Sequence, residues 1–382
     1  MATVHVSDEH GLNPAVLARR PRPEPLPFPL SAPRRLDFYR ARNAIYYLFR
    51  ALGFGDGATV LAPDYHNSNE VLPMRAAGAN VVFYRIGRNL EPDFDQLARL
   101  ARAHAPRALF VIHYFGWAQP MKELLRLCEE RDMLLIEDCA QATLSETGGR
   151  PLGSFGQYAT FCLYKTLPIP NGGVLVENGP ALPALRELSL RPCGVAPLAG
   201  RTLELALEWL RMRSHAVGES ALAGKQAIGR ALRRGGVRNV AFGDIGFDLS
   251  TVDLGMSELS RAILRRLDYA EIRRRRRENF VLLRDRLEGH ATLWSKEVED
   301  GMCPYVFPIL VRDKQAAVRA LRARGIEAEE FWNYGVPDAR GRGFEDSDFL
   351  HEHVMELPIH HDVTPAQIEY VAAEVIRLGV AL

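Results

Sequence analysis

Apolar residues fall along the chain in two alternating rhythms. Helical spacing runs through 41–53, where it stops on Gly53, and again through 69–78 despite Pro73, 93–104 and 121–132. Between them lie short, nearly unbroken apolar runs at 58–63, 80–86, 107–116 and 133–138, and a further one, ATFCLY, ends just before Lys165. The first kind lines up one face of a helix, and the second suits a strand buried on both faces. Strands alternating with helices predict a parallel sheet with crossover helices on both sides, and ligands in such sheets sit at the carboxyl ends of the strands. Pro63, His113, Asp138 and Lys165 all fall near such ends.

The flanks read differently. Residues 1–33 end in the run RRPRPEPLPFPLSAP, which cannot hold a helix and predicts an extended arm laid over the body. After 172–179 comes a basic helical stretch to about 239, including 202–217 and 225–234. Its Leu203, Leu207 and Leu210 share one helix face, for packing on the body, a dimer arm, a partner or a membrane surface. From Met256 the pattern is helical, with a bend or interruption, and 303–311, 314–325, 326–332 and 364–379 suggest a small α+β unit. The expected organisation is an arm (1–33), a large domain (34–245, with 180–240 an expanded helical section) and a small C-terminal domain (246–382).

Composition narrows the function classes. A chain of 382 residues with 47% hydrophobic and 25% charged residues is an ordinary globular protein with room for two domains. A net charge of +1 gives no electrostatic case for nucleic acid. No apolar run is long enough to span a membrane, and the N-terminus lacks a basic-then-apolar signal pattern. Cys128, Cys139, Cys162, Cys193 and Cys303 are scattered and odd in number, which fits reduced thiols in the cytoplasm and no zinc site. His351, His353, His360 and His361 lack a metal-ligand spacing and are expected as surface or interface residues; no metal is expected. Arg273 to Arg277 read as a solvated helix face with some stems packed. The glycines of GFGDG (53–57) precede a strand where a dinucleotide fingerprint needs a helix, so they carry no such reading.

The candidate chemistry lies between Leu134 and Val176. The run LLIED ends on Asp138, and Lys165 follows ATFCLY before a Pro- and Gly-rich turn. The chain has only five lysines against many arginines, so a lysine at this position suggests a need for its amine and not charge alone. A lysine in apolar surroundings loses its proton more readily and becomes a usable nucleophile, as a Schiff-base lysine must. An Asp at a strand end facing such a Lys suits pyridoxal 5'-phosphate (PLP) chemistry. A structural Asp–Lys ion pair fits the spacing equally well.

The stretches GFGDGATVLAPDYHNSNEVLPMRAAGANVVFYRI, FVIHYFG, IEDCAQA, PLGSFGQYATFCLYK followed by NGGVLV, MSELSRAILRRLD with RRRREN, and ELPIHHDVTPAQIEYV resemble the DegT/DnrJ/StrS sugar aminotransferases. The resemblance spans about 38 to 378 and is weakest over 180–240. It implies an α/β, fold-type-I PLP-dependent transferase with a mostly parallel large-domain sheet and a smaller C-terminal α+β domain. Lys165 would be the catalytic Schiff-base lysine, since it keeps the family's spacing to Gly172-Gly173; Asp138 would meet the pyridine nitrogen and Gln141 the ring's phenolic oxygen. It further implies a cytoplasmic homodimer that moves an amino group from an amino acid, L-glutamate in the first instance, to a nucleotide-linked keto-sugar. Products of this kind serve polysaccharide or secondary-metabolite synthesis. Another PLP reaction such as dehydration, or a non-catalytic PLP-binding scaffold, are the alternatives. Members that remove oxygen from sugars often replace the lysine with His; Lys165 favours amino transfer.

The chain also departs from the family pattern. The phosphate loop, Ser-Gly-Thr or Ser-Gly-Arg in the family, is here Arg40-Ala41-Arg42, leaving Ala41 and Arg42 to hold phosphate at a helix start. The ring-stacking position aligns with Asn67, and His66 beside it is the preferred stacking group. The phosphate-binding Ser corresponds to Thr160 or Cys162, and the Glu before Gly-Gly is Asn171. An Asn that a partner loop offers to the phosphate in the family aligns with Asp248, whose charge would repel it.

Overall fold

The computed structural model of the protein describes residues 4–23, 25–214, 246–294, 296–341 and 343–382. Its first half builds a sheet from β1 (Arg35–Phe38), β2 (Thr59–Pro63), β3 (Asn80–Tyr84), β4 (Ala108–Ile112), β5 (Leu134–Asp138), β8 (Tyr158–Cys162) and β9 (Gly173–Glu177). The strand order is β1-β9-β8-β5-β4-β2-β3. The five strands from β3 to β8 run parallel, while β9 is antiparallel to both β8 and β1. Between them lie helices α1 (Ala41–Ala51), α2 (Val71–Ala76), α3 (Phe94–His104) and α4 (Met121–Glu130), and a two-residue hairpin of β6 (Glu146–Thr147) and β7 (Arg150–Pro151). Every residue of β4, β8 and β9 is buried, which is why these segments read as unbroken apolar runs.

Two boundaries differ from the sequence expectation, each for a local reason. The strand expected over 107–116 ends at Ile112; the His113 N–H bonds Asp138 O at 3.0 Å, and the chain then turns through Tyr114–Gly116 with Phe115 at φ 57°. The Gln141 side chain holds that turn by accepting the Phe115 N–H at 2.8 Å. The helix expected over 69–78 contracts to α2, with Pro73 in its first turn, where no backbone N–H is required.

The second half supplies α5 (Pro183–Arg186), α6 (Val195–Arg213), α7 (Glu258–Leu264), α8 (Tyr269–Leu287), α9 (Lys314–Arg322), α10 (Glu345–His353) and α11 (Pro365–Leu378). A three-stranded antiparallel sheet, β10-β12-β11, is made from β10 (Phe307–Leu310), β11 (Glu329–Glu330) and β12 (Val354–Leu357). The helix ends are built from side chains suited to them. Ser257 caps α7, Asp268 caps α8, and Thr364 with Gln367 forms a capping box at α11, which stops on Gly379 in the left-handed region. The bend expected after Met256 is the break between α7 and α8.

The N-terminal arm is tied to this second half. Val6 exchanges backbone bonds of 2.8 Å with Gly325 and Glu327, the His360 ring nitrogen Nε2 lies 3.0 Å from Ser7 O, and Gly11 N–H donates to Asp362 at 3.0 Å. Gly11 crosses α6 so closely that a β-carbon would overlap the Trp209 backbone, so only glycine fits there. On α6 it is Leu205 that is buried; Leu203, expected on a packed face, is 47% exposed. The expected helical run 225–234 lies outside the described residues.

Candidate active site

Asp138 ends β5, and Lys165 ends the short turn Leu163–Lys165 that follows β8. Asp138 and Thr160 are in register, so both strands finish at the same edge of the sheet. There Asp138 and Lys165 open into one cavity of about 250 Å3. Among the described residues the Lys165 amine has no hydrogen-bond partner; it lies over the Tyr305 ring, 5.7 Å from the centroid. One Asp138 oxygen accepts the Ala140 N–H at 2.8 Å. Burial, reinforced by the nearby Glu70 carboxyl, pushes Asp138 up to about 7, against the pull of the Ala140 N–H and of Lys165.

The start of α1 lines the same cavity. No side chain caps this helix, and Ala41 and Arg42, its first two residues, line the cavity, so first-turn N–H groups lack an intrahelical acceptor. Arg42 also bonds Gly246 O, and burial lowers its pKa. An N–H cluster at the positive end of an eleven-residue helix, with a guanidinium beside it, is a phosphate site in its chemistry. Together with a carboxyl at one strand end and an amine at the next, this donor set fits pyridoxal phosphate.

Three other elements close the cavity. Asp8, Glu9 and His10 of the arm reach it, as do Arg201 and Leu205 of α6 and the stretch from Glu356 to His360 at the end of β12. Glu356 is pushed up to about 7 by burial, opposed by Lys165 and Lys314. Arg276 of α8, buried and also lining the cavity, donates to Tyr305 O at 2.7 Å and Thr166 O at 3.2 Å. It thereby ties the residue after Lys165 to the second half of the chain.

The profile of the DegT/DnrJ/EryC1/StrS aminotransferase family matches residues 40–208 and 219–376. The chain belongs to this family. Over 138 residues it is 31% identical to the GDP-perosamine synthase of Vibrio cholerae, covering 35% of this chain and 37% of that protein. Over 192 residues it is 29% identical to the dTDP-4-dehydro-2,3,6-trideoxy-D-glucose 4-aminotransferase of Saccharopolyspora spinosa, covering 49% of each. The chain thus spans half or less of the length of these relatives. In fold it is similar to a putative sugar aminotransferase from Streptococcus pneumoniae in its PLP form, with a TM-score of 0.65 at 15% identity over 91% of this chain and 87% of that one. The DegT family is PLP-dependent.

Of the positions expected to contact the cofactor, Ala41, Arg42, Asn67, Asp138, Cys162 and Lys165 line the cavity. Three do not. His66, preferred for ring stacking, turns away: its ring stacks on Phe83 with centroids 5.4 Å apart, and its Nδ1 accepts the Ser68 N–H at 2.8 Å. Asn67, next along the chain, therefore takes the cavity side. Gln141 is engaged with Phe115 N, and Thr160 is buried with an Oγ1 that has no partner. Cys162 is the wall residue of the Thr160/Cys162 pair.

Other expectations change with the geometry. Within the run Arg273 to Arg277, Arg276 is fully buried, because four backbone and ring acceptors stand around its guanidinium. His351 and His360, expected at the surface or an interface, are buried. Asn171 accepts the Ser257 N–H at 2.9 Å and so anchors the start of α7. Asp248 turns its carboxylate onto Ser250 N and Oγ, both at 2.8 Å, at the surface. Sequence reasoning missed Asp8, Glu70, Tyr305 and Glu356. Glu70 carried the one available signal: an acid three residues after Asn67, at the start of a helix following a strand end.

His113, Glu137 and Cys139 stand close enough together to resemble a metal site, but the imidazole and the carboxylate are already engaged. His113 Nε2 lies 3.0 Å from Glu137, whose two oxygens also accept N–H groups from Gly153, Phe155 and Gly156 at 2.6–2.8 Å. In this buried network Glu137 organises the loop between β7 and β8.

Proposed function

We propose that this member of the DegT family moves an amino group from an amino acid to a keto-sugar carried on a nucleotide, with PLP as cofactor. The observation that carries the reading is the opening of Asp138 and Lys165 into one cavity that the uncapped start of α1 also lines. The names of the related proteins, a GDP-sugar synthase and a dTDP-sugar aminotransferase, support a nucleotide-sugar substrate. When bound, PLP supplies a ring that withdraws electrons from the carbon bearing the amine.

Each chain residue has a definite part in this. Asp138 carries the charge that keeps a ring nitrogen protonated. Ala41 N–H, Arg42 N–H and the Arg42 guanidinium hold phosphate oxygens. The Lys165 amine, with no hydrogen-bond partner among the described residues, would be the group that holds the cofactor and the one that moves a proton at its own nitrogen. The arm, α6 and the end of β12 exclude bulk water. A homodimer in the cytoplasm, as the sequence resemblance implies, belongs to the same proposal.

The test is a visible absorption spectrum of the purified chain with PLP, before and after excess L-glutamate, alongside Lys165→Ala. A protein-bound PLP band that glutamate converts to the pyridoxamine form, and that the variant lacks, is the expected result. A band indifferent to glutamate points to another donor or to dehydration. No bound band at all overturns the PLP reading.

A further inference from the structure

Helix α6 walls one side of the cavity through Arg201 and Leu205, yet it is barely anchored in the core. Of its nineteen residues only Leu205 is buried, whereas α8, equally long, buries six. Ties to the arm hold α6 in place. Glu9 takes Arg201 through bonds of 2.8 and 2.9 Å, and His5 Nε2 lies 3.0 Å from Glu208. Leu12 N–H donates to Leu205 O at 2.8 Å, and Ser7 N–H to the Met212 sulfur at 3.4 Å. The arm itself is fixed, since Val6 is fully buried and bonds Gly325 and Glu327 through its backbone. Polar ties that water can replace open at less cost than buried apolar area, so α6 is the part free to move. The cavity measures about 250 Å3, against about 300–1,000 Å3 for small-molecule sites. A cofactor and a nucleotide-linked sugar together need more room, and the opposite walls are the ends of packed strands and the start of α1.

We propose that α6 is a lid over the active cavity, latched to the arm by Glu9–Arg201, His5–Glu208 and Leu12–Leu205, and lifted to admit substrate. The chain before α6 supplies a turning point. Arg191 is held to Asp253 by its side chain and its backbone N–H, both at 2.7 Å. From Pro192 to Pro197 every residue is exposed or half-buried, and no side chain caps the helix. At the other contact the fit is exact in one place: a β-carbon on Gly11 would lie 2.3 Å from the Trp209 Cα, so arm and helix close only with glycine at the crossing. Closing the lid sets Arg201 and Leu205 against whatever the cavity holds. The need to admit a large substrate rests on the aminotransferase reading; the latch itself does not.

The test is hydrogen exchange of the full-length chain near pH 7, without PLP or substrate, followed peptide by peptide by mass spectrometry. Amides of α6 are expected to exchange at least about tenfold faster than those of α8. Glu9→Gln and Gly11→Ala are each expected to raise the α6 rate by about threefold or more and to leave α8 unchanged. Alkylation of Cys162 by iodoacetamide, followed on its own peptide, reads the cavity: this thiol sits on the wall, 2% exposed, and both variants are expected to speed its reaction by a similar factor. If Gly11→Ala loosens both helices together, Glu9→Gln, on an exposed residue, decides. Exchange of α6 as slow as that of α8, or rates unchanged in both variants, overturns the lid. Faster α6 exchange with an unchanged Cys162 rate also overturns it, because the helix would then move without opening the cavity. No cofactor or substrate takes part, so failure here is distinct from failure of the PLP spectrum.

Discussion

Gly173 runs so close to Ala41 that a β-carbon on it would lie inside van der Waals contact with the Ala41 nitrogen and the Arg40 carbonyl carbon. The second glycine after Lys165 is therefore a packing requirement: it lets β9 run beneath the start of α1, where the proposed phosphate site lies. Gly173→Ala is expected to push the helix start away, destabilising the fold by about 1–3 kcal/mol and weakening PLP binding. Urea unfolding and PLP titration measure the two effects, and unchanged values for both would remove this role.

Lys165→Arg separates a nucleophile from a structural cation. An ion pair with Asp138 would survive the change, whereas amine chemistry would not, so amino transfer is expected to disappear while the unfolding midpoint moves little. Asp138→Asn keeps the size and loses the charge, and a fall of about 10²–10⁴-fold in turnover is expected. Single-turnover assays with each variant decide the matter.

Glu356 makes stability depend on pH in a definite direction. Burial pushes its carboxyl up to about 7 in the folded protein from an ordinary 4.5, so the folded state binds more protons. Its contribution is most favourable below pH 4.5 and is lost as pH rises towards 7. Glu356→Gln should therefore gain stability relative to the parent between pH 5 and pH 8, on the order of 2 kcal/mol after allowing for solvent in the cavity. Urea unfolding of the cofactor-free protein at the two pH values gives the difference; a constant offset contradicts the assignment.

Arg276 binds carbonyls from two parts of the chain, so Arg276→Met leaves them unpaired in a buried place. A loss of about 2–4 kcal/mol is expected, larger than for Arg274→Met, since Arg274 pairs with exposed Glu271 and Glu278 on its own helix. Thermal unfolding of the two variants side by side checks the ranking.

Much of the fold was legible in the sequence because its signals are local. The unbroken apolar runs of β4, β5 and β8 follow from burial on both faces, and Asp138 and Lys165 stand out because each ends such a run. Elements with weak local patterns were not legible. β1 has four residues, β11 has two, and β12 carries Glu356 among apolar neighbours, so pairing partners far along the chain define them.

By itself, the sequence determined the alternation that makes a mostly parallel sheet, the strand ends that carry Asp138 and Lys165, and the spacing from Lys165 to Gly173. Tertiary structure alone decided that His66 turns onto Phe83 while Asn67 meets the cavity, because adjacent residues in a loop have no fixed side. It also decided that Arg276 is buried within a run of arginines, since one helix position meets the carbonyls of Thr166 and Tyr305. Finally, it brought Asp8, Glu70 and Glu356 to one cavity. Their sharing it depends on how the arm, the end of β2 and the small sheet pack together, and nothing in the order of residues along the chain records that.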